Sequence, residues 1–314
     1  HNAYRSYKVT PEAQQAAQQR FTKLAPKIID VNRVFAPTVR AQKTGLPDTT
    51  QDQITYRLAM TATGEYTLYH GGTVNDAMAE ITIMVNRLNE IFQVELGVSF
   101  QLVENNDQLI FTDAQTDPFN NDSNDGDLNQ EVTDNRIGST NYDIGHIVNT
   151  NGGGLAVLGA LCWDGFKADG ITGSGTPTND AFWVDFVAHE LGHQFGANHT
   201  FNGTTSSCAS GNREADAAYE VGSGTTIMSY AGICGEQNVS GQVDDYFHVH
   251  SLDEMAAEIQ FARQNTPSCG IRVATQNNHP VADAGTDVTI PANTPFILTG
   301  TGTDTNTSDT LTYS

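Results

Sequence analysis

Basic residues are scarce in this chain of 314 residues, in which 15 lysines and arginines stand against 37 aspartates and glutamates, giving a formal charge of −22. Nucleic-acid binding needs a basic surface that pairs with phosphates, so this composition argues against it. The sequence also lacks any run of 18 or more apolar residues and therefore predicts no membrane span. Such a charge suits an extracellular protein exposed to salt or calcium, and equally a surface that is simply well solvated.

Cysteine is also infrequent: the chain has only Cys162, Cys208, Cys234 and Cys269. None of them has the C-x-x-C spacing of a zinc ribbon. An even number in a secreted protein indicates two disulfides, for which three connectivities are open. Four free buried thiols in a cytosolic protein are the alternative. We expect a secreted monomer.

The most informative stretch is residues 189–199, which reads HELGHQFGANH. On a helix, His189 and His193 lie four residues apart, so both imidazoles leave one face about one turn apart. That spacing suits two ligands of a tetrahedral zinc ion. Gly196 lets the backbone leave the helix with a positive φ, so His199 can supply a third ligand from outside the helix.

Glu190 completes this pattern. Its side chain is displaced by about 100° from His189 around the helix, so it lies beside the metal and can take a proton from a water there. The fourth zinc position stays open, which distinguishes a catalytic site from a closed structural one. The alternative is a core helix with hydrogen-bonded histidines. Burying three imidazoles and a carboxylate without a metal would be costly, which favours the zinc interpretation.

The pattern H-E-x-x-H-x-x-G-x-x-H resembles the signature of the metzincin zinc endopeptidases, which also have a methionine turn below the metal. Residues 226–230 read TIMSY and match that turn, so Met228 would form a hydrophobic floor under the histidines. Residues 154–162 look like the edge strand of the reprolysin (adamalysin-like) branch. Residues 264–269 look like the end of the same catalytic domain, and residues 56–60 look like its opening strand.

The resemblance implies an α/β metzincin fold. Its twisted, mostly parallel sheet would have an antiparallel edge strand, with a long zinc-binding helix and a C-terminal helix below the cleft. One catalytic zinc ion would be bound by His189, His193 and His199, with Glu190 as the general base. A protein or peptide substrate would lie antiparallel to the edge strand, hydrogen-bonded to its main chain at Gly154, Leu155 and Ala156.

Disulfide pairing is also implied by the resemblance. Cys162 on the edge strand would pair with Cys269 near the end of the domain. Cys208 would pair with Cys234, bracing the loop between the third histidine and the methionine turn. Each cross-link would stabilise the fold by about 2–4 kcal/mol.

Tyr230 departs from the reprolysin pattern. Reprolysins generally lack a tyrosine two residues after the methionine, whereas astacins and serralysins have one that can approach the zinc. We therefore expect Tyr230 to donate a hydrogen bond to the developing oxyanion, or to occupy a fifth zinc position at rest and then swing away.

Local patterns predict several further elements. Apolar spacing predicts a helix from Val74 to Leu96 with Gly97 as its C-cap, and a capping box predicts another from Ser251 to Arg263. His248 and His250 alternate as on an extended strand, and we interpret them as structural or surface residues. The acid-rich stretch 120–129 predicts a loop that either binds calcium or is simply solvated. It fails the EF-hand register.

Three segments follow from these observations. Residues 1–52 are an N-terminal extension or a pro-segment remnant without cysteine, and residues 53–273 are the catalytic domain. Threonine, aspartate, glycine and proline dominate after residue 274. Residues 279–313 resemble the first strands of an Ig-like repeat of polycystic-kidney-disease type, which implies a linker and the start of such a repeat in residues 274–314; a disordered threonine-rich tail is the alternative.

We thus expect a secreted zinc-dependent metalloendopeptidase. One alternative is a non-catalytic adhesion or binding module that keeps zinc for structure. The presence of Glu190 and the lack of an evident fourth protein ligand argue against it. A second alternative is a latent zymogen in which residues 1–52 occupy the cleft.

Overall fold

The computed structural model describes residues 52–209, 211–275, 277–278, 280–297, 299–306, 308 and 310–311. The predicted N-terminal extension therefore lies outside the described residues, apart from its last residue. Among the described residues, no helix combines the length and the apolar character that crossing a bilayer requires.

A six-stranded mixed sheet is the centre of the fold. Its main path runs in the order β2-β1-β3-β5-β4, and β6 pairs with the first residues of β1. Strands β1, β2, β3 and β5 are parallel to one another, whereas β4 and β6 run antiparallel to their neighbours. The strands are β1 (Asp52–Ala62), β2 (Val98–Leu102), β3 (Ile144–Asn149), β4 (Gly153–Ala156), β5 (Gly170–Gly173) and β6 (Ile271–Ala274).

Within the described residues, five helices of six residues or more surround this sheet. One of them, α4, is continuous but changes type: it is α-helical at Asp180–Phe182, π-helical at Trp183–Ala188 and α-helical again at His189–Gln194. π-Helical turns are rare in proteins, and those that do occur are often found at functional sites. The other helices are α1 (Gly64–Tyr69), α2 (Val74–Leu96), α3 (Asp125–Arg136) and α5 (Val249–Asn265). The predicted α/β class, with a mostly parallel sheet and an antiparallel edge strand, is confirmed.

The main core lies between one face of the sheet and the helices α2, α4 and α5. It is built from fully buried side chains such as Leu58 of β1, Leu88 of α2, Leu191 of α4 and Ile259 of α5. Burial of such side chains stabilises a fold by about 1.5–3 kcal/mol each. This packing fixes α4 against the sheet, and α4 carries the histidine pattern.

Helix α2 has the predicted bounds. Its apolar positions Ile81, Val85, Leu88 and Phe92 are buried. Gly97 adopts the left-handed conformation with φ of 66°, and its N–H donates to the carbonyls of the last turn. The periodicity and the C-cap were sufficient here because both signals are local.

Two local predictions were wrong. Helix α3 begins inside the stretch 120–129 that was predicted to be loop. Helix α5 begins at Val249 instead of Ser251, and its N-cap is His248, whose side chain accepts the N–H of His250 at 3.1 Å. His250 therefore lies in the helix and not on an extended strand. Its Nε2 atom lies 3.3 Å from a carboxylate oxygen of Glu254, one turn further along the helix.

Two disulfides connect parts of the fold that are distant in sequence. Cys162 pairs with Cys269, and Cys208 pairs with Cys234, at Cα separations of 5.9 and 5.1 Å. The first joins the segment after β4 to the chain that follows α5. The second closes a loop between α4 and α5.

A small antiparallel sheet follows the main fold. It consists of β7 (Val281–Asp283) and β8 (Thr301–Thr303), which pair from Val281 with Thr303 to Asp283 with Thr301. Its strands are separate from the six-stranded sheet.

Candidate metal centre

Three histidine side chains converge at the C-terminal end of α4. The Nε2 atom of His199 lies 3.1 Å from Nε2 of His189 and 3.0 Å from Nε2 of His193. Among the described residues, this is the one group of three or more histidine, cysteine or acidic side chains whose ligand atoms lie close enough to share an ion.

The backbone fixes the tautomer of every one of these rings. Carbonyl oxygens only accept hydrogen bonds, so a ring nitrogen that faces one must carry the hydrogen. The Nδ1 atoms of His189, His193 and His199 donate at 2.7, 2.7 and 2.6 Å to the carbonyls of Ile227, Ala197 and Asn212 respectively. All three Nε2 atoms therefore present lone pairs to one point.

These lone pairs fit a zinc ion. With the hydrogens on Nδ1, no proton lies between the Nε2 atoms, so their close approach is repulsive unless a cation is present. Three neutral imidazoles with a free fourth direction are the donor set of a catalytic zinc site, and hydrogen bonds from the outer ring nitrogen to carbonyls orient such ligands. The residues present therefore fit the metal.

Burial keeps the three imidazoles neutral, as metal ligands must be. It lowers the pKa of His189 to about 3 and that of His193 to about 4. The pKa of His199 also falls well below its ordinary value, because the ring is buried and faces the other two histidines. None of the three rings competes for a proton near neutral pH.

The exit from α4 brings the third histidine to the other two. His189 and His193 leave one face of the helix one turn apart, with ring centroids 4.8 Å apart. Gly196 follows with φ of 93°, a conformation that favours glycine, and the chain then turns back so that His199 faces the pair. The sequence prediction placed these residues on the same elements.

Met228 packs beneath this helix. It is fully buried, and its sulfur lies against Gly192, where a Cβ atom would overlap it. The carbonyl of Met228 accepts the N–H of Thr200 at 3.1 Å, which connects the methionine segment to the residue after His199. A thioether in this position provides an apolar surface under the helix.

Glu190 lies beside the histidines and against the edge strand. Burial alone raises its pKa to about 8, and a cation held by the neighbouring histidines would lower it again, towards the ionised carboxylate. A Cβ atom at Gly154 would overlap its carboxylate, so the carboxylate lies directly on the backbone of β4. The glutamate of the helix and the edge strand therefore face the same space.

Tyr230 packs among the aromatic rings of the centre. Its ring centroid lies 4.5 Å from that of His199, 5.8 Å from that of His189 and 4.6 Å from that of Phe201, on which it stacks. Burial and the nearby Glu190 carboxylate raise its pKa above the ordinary value, so the phenol stays protonated. A ring with a protonated phenol therefore lies next to the candidate metal ligands.

The edge strand has a free side. One edge of β4 pairs with β5 from Gly153 to Ala156, and within the described residues no strand pairs with its other edge. The chain after β4 provides hydrogen-bond donors for the last carbonyls of α4. The N–H groups of Gly159 and Ala160 donate to the carbonyls of His193 and Gln194 at 2.9 and 2.8 Å. The segment after β4 and the end of α4 are thus joined directly by hydrogen bonds.

A buried polar network that the sequence analysis missed anchors α4 to the sheet. His146 of β3 is fully buried and lies 2.9 Å from Gln194 Oε1 and 2.8 Å from Thr172 Oγ1. The amide of Gln194 donates to the carbonyl of Gly145 at 2.9 Å. A histidine inside an otherwise apolar strand is the signal that could have pointed to this contact.

The acidic stretch 120–129 shows no calcium site. Asp125 is fully buried and uses its carboxylate for the N–H groups of Asn120 and Asp122, at 2.9 and 3.0 Å. Its carboxylate is thus used within its own loop, and the alternative that this stretch binds calcium has no support in the structure.

One family match accounts for this arrangement. Residues 52–257, well over half of the chain, match the reprolysin-like metallopeptidase family M12B, and the match includes strands β1 to β5, the three histidines and Met228. No curated protein matches the chain. Peptidases of this family use zinc, which the three histidines fit, and act on proteins. The chain belongs to the reprolysin-like M12B metallopeptidase family.

Proposed function

We propose that this chain is a secreted zinc-dependent metalloendopeptidase in which Glu190 is the general base. The observation that carries the proposal is the convergence of three Nε2 lone pairs, each fixed by a carbonyl behind the ring, next to a buried carboxylate and an open sheet edge. His189, His193 and His199 would hold the zinc ion.

A substrate strand would add to the free edge of β4. Main-chain hydrogen bonds to Gly154, Leu155 and Ala156 would align it antiparallel to that strand. The contact between Gly154 and Glu190 supports this position, because a substrate carbonyl next to β4 would then lie beside the carboxylate. Substrate binding and proton transfer would take place in one cleft.

Zinc, when bound, supplies Lewis-acid polarisation of the scissile carbonyl and acidifies the attacking water. A carboxylate oxygen of Glu190 takes one proton from that water as the new carbon–oxygen bond forms. Glu190 then delivers the proton to the amide nitrogen as the carbon–nitrogen bond breaks, which releases a carboxylic acid and an amine. The glutamate returns to its starting protonation state.

Tyr230 would support the same step from the other side. Its phenol is protonated and would donate a hydrogen bond to the carbonyl oxygen as negative charge develops there. Such a donor is worth about 2.7–4 kcal/mol in the transition state. The packing of the ring against His199 supports this serralysin-like role, and Met228 would be the methionine of the turn.

The domain limits and the export of the chain belong to this proposal as well. We place the catalytic domain at residues 53–273 and interpret the β7–β8 ribbon as part of an incomplete Ig-like repeat of polycystic-kidney-disease type within residues 274–314. Two disulfides are consistent with an oxidising compartment.

Zinc content and cleavage of casein by the full chain test the proposal. We expect about one bound zinc ion, loss of cleavage when a chelator removes it, and recovery when zinc is added back. Mass spectrometry of the products should show internal peptide bonds cut. A chain that binds zinc but cleaves nothing, even after limited proteolysis of residues 1–52, would be a binding module and not an enzyme.

A further inference from the structure

Glu220 uses its carboxylate to join two separate segments of the chain. It lies in the loop between His199 and Met228 and is half-buried. Its Oε1 atom accepts the hydroxyls of Thr200 and Thr226, both at 2.5 Å. Its Oε2 atom accepts the N–H groups of Thr225 and Thr226, at 2.7 and 3.1 Å.

Each of these segments is adjacent in sequence to a residue of the centre: a candidate ligand in one case and the hydrogen-bond partner of a candidate ligand in the other. Thr200 is the residue after His199. Thr226 precedes Ile227, whose carbonyl accepts the Nδ1 hydrogen of His189 at 2.7 Å. One carboxylate therefore connects the residue after His199 with the segment whose carbonyl orients His189.

Backbone contacts make this connection stiff. The N–H of Glu220 donates to the carbonyl of Thr200 at 2.8 Å, and the N–H of Asn202 donates to the carbonyl of Glu220 at 2.8 Å. Gly224 completes the turn with φ of 68°, and a Cβ there would lie 2.9 Å from the Glu220 carboxyl group. The carboxylate is thus held by four hydrogen bonds and by the close packing of Gly224 against it.

The charge of Glu220 is part of the arrangement. All its partners donate, so only the ionised carboxylate satisfies them together. Burial opposes ionisation, but the hydrogen bonds from Thr200, Thr225 and Thr226 outweigh it and hold the pKa of Glu220 below its ordinary value. A neutral amide of the same shape would place donors opposite donors.

We propose that Glu220 is a positioning residue of the zinc centre: by joining Thr200 to Thr225 and Thr226, it fixes His199 relative to His189. The inference rests on the proposed zinc function. Outer partners that orient metal ligands typically change metal affinity by about 10–100-fold when they are removed. A carboxylate that served the fold alone would change stability without changing zinc affinity.

Zinc affinity of Glu220→Gln, measured by competition with a chromophoric chelator, tests this role. The matched control is Asp143→Asn. Asp143 is a buried carboxylate directly before β3 that accepts three hydrogen bonds from Arg57 and makes none to the histidine rings. The free energy of unfolding of both metal-free variants is measured in parallel.

We expect Glu220→Gln to weaken zinc binding by about 10–100-fold and Asp143→Asn to leave it within about twofold of the wild type. The visible spectrum of the cobalt(II)-substituted protein should also change in Glu220→Gln alone. Zinc affinities that are equal in the wild type and Glu220→Gln would overturn the inference. So would equal losses in the two variants.

A milder variant keeps the test informative if Glu220→Gln fails to fold. Thr200→Val removes the one hydroxyl that links Glu220 to the residue after His199 and conserves the volume of the side chain. It should weaken zinc binding by a smaller factor, and unchanged affinity would contradict the inference. A wild-type chain that binds no zinc would instead overturn the proposed function itself.

Discussion

Gly154 of the edge strand packs directly against the carboxylate of Glu190 on α4. A Cβ atom at Gly154 would lie 2.6 Å from Glu190 Cγ and still closer to the carboxyl group. The missing side chain is therefore what lets the strand approach the helix. This contact places the proposed general base next to the backbone that would bind the substrate.

Gly154→Ala should displace the Glu190 carboxylate and reduce kcat/KM by about 100-fold, the scale expected when a reacting group moves by about 1 Å. Zinc content should stay unchanged, because the three atoms nearest to the new methyl group all belong to Glu190 and none to a histidine. Steady-state kinetics with a fluorogenic peptide measure the effect.

The matched control is Gly152→Ala, since a Cβ there meets no atom within 4 Å. It should retain nearly full activity. Equal activity of Gly154→Ala and Gly152→Ala would show that the contact between Gly154 and Glu190 does not matter for catalysis.

Tyr230→Phe removes one proposed donor to the oxyanion and keeps the ring that packs on His199. We expect kcat to fall by about 100–1,000-fold with KM little changed, a smaller loss than for Glu190→Ala. Tyr219→Phe, at an exposed tyrosine outside the centre, is the control. Unchanged kcat in Tyr230→Phe would make Tyr230 a packing residue only.

His146 should make the metal-free fold sensitive to acid. Burial lowers its pKa to about 4 in the folded chain, whereas an unfolded histidine titrates near 6.5. The neutral ring is thus favoured by folding, so its stabilisation is complete above about pH 6.5 and is lost as the pH falls towards 4. The full loss amounts to about 3 kcal/mol.

Urea unfolding of wild type and His146→Gln in a chelator, between pH 8 and 4.5, checks this. The glutamine does not titrate, so the stability of the variant should fall less than that of the wild type across this range. Parallel curves would show that His146 is not the group responsible.

Loss of the Cys208–Cys234 disulfide should weaken the zinc centre as well as the fold. This cross-link closes the loop that contains Asn212, whose carbonyl accepts the Nδ1 hydrogen of His199. Replacing both cysteines by serine should cost about 2–4 kcal/mol of unfolding free energy and also lower zinc affinity.

Replacing Cys162 and Cys269 by serine provides the comparison, because that bridge joins segments that make no hydrogen bond to the histidine rings. It should destabilise the fold with little effect on zinc binding. Similar zinc affinities in the two double variants would rule out a role of the 208–234 loop in orienting His199.

The parts of the molecule that could be predicted from sequence are those governed by local spacing. His189 and His193 share a helix face, Gly196 ends that helix, and Gly97 ends α2, because each of these depends on a few neighbouring residues. The α/β class followed from the resemblance and is confirmed. Periodicity and capping express the same backbone geometry that the structure shows.

Helix α3 was missed because it has no apolar stripe. It faces the sheet with polar side chains: Asn129 donates to the carbonyl of Ala168 at 2.8 Å, and Gln130 accepts the N–H of Ala168 at 2.7 Å. A helix that is buried through hydrogen bonds leaves no 3.6-residue hydrophobic pattern in the sequence. The polar composition of this segment is therefore typical of a loop, although the segment is helical.

The supports of the histidines could not be predicted at all. The carbonyls of Asn212 and Ile227 and the carboxylate of Glu220 reach the centre only through the path of the loop after α4. Any residue supplies a carbonyl, so Asn212 and Ile227 carry no sequence signal. Glu220 is one of many acidic residues in an acidic chain. Tertiary structure alone identifies them.

The most direct test of the account compares wild type with Glu190→Gln, measuring bound zinc and peptide hydrolysis in both. Glutamine conserves the shape of the side chain and removes the oxygen that accepts the proton. We predict about one zinc ion in each protein and a fall in kcat of at least about 100-fold in the variant. Hydrolysis at the wild-type rate by a zinc-loaded Glu190→Gln would contradict the central claim that Glu190 is the general base.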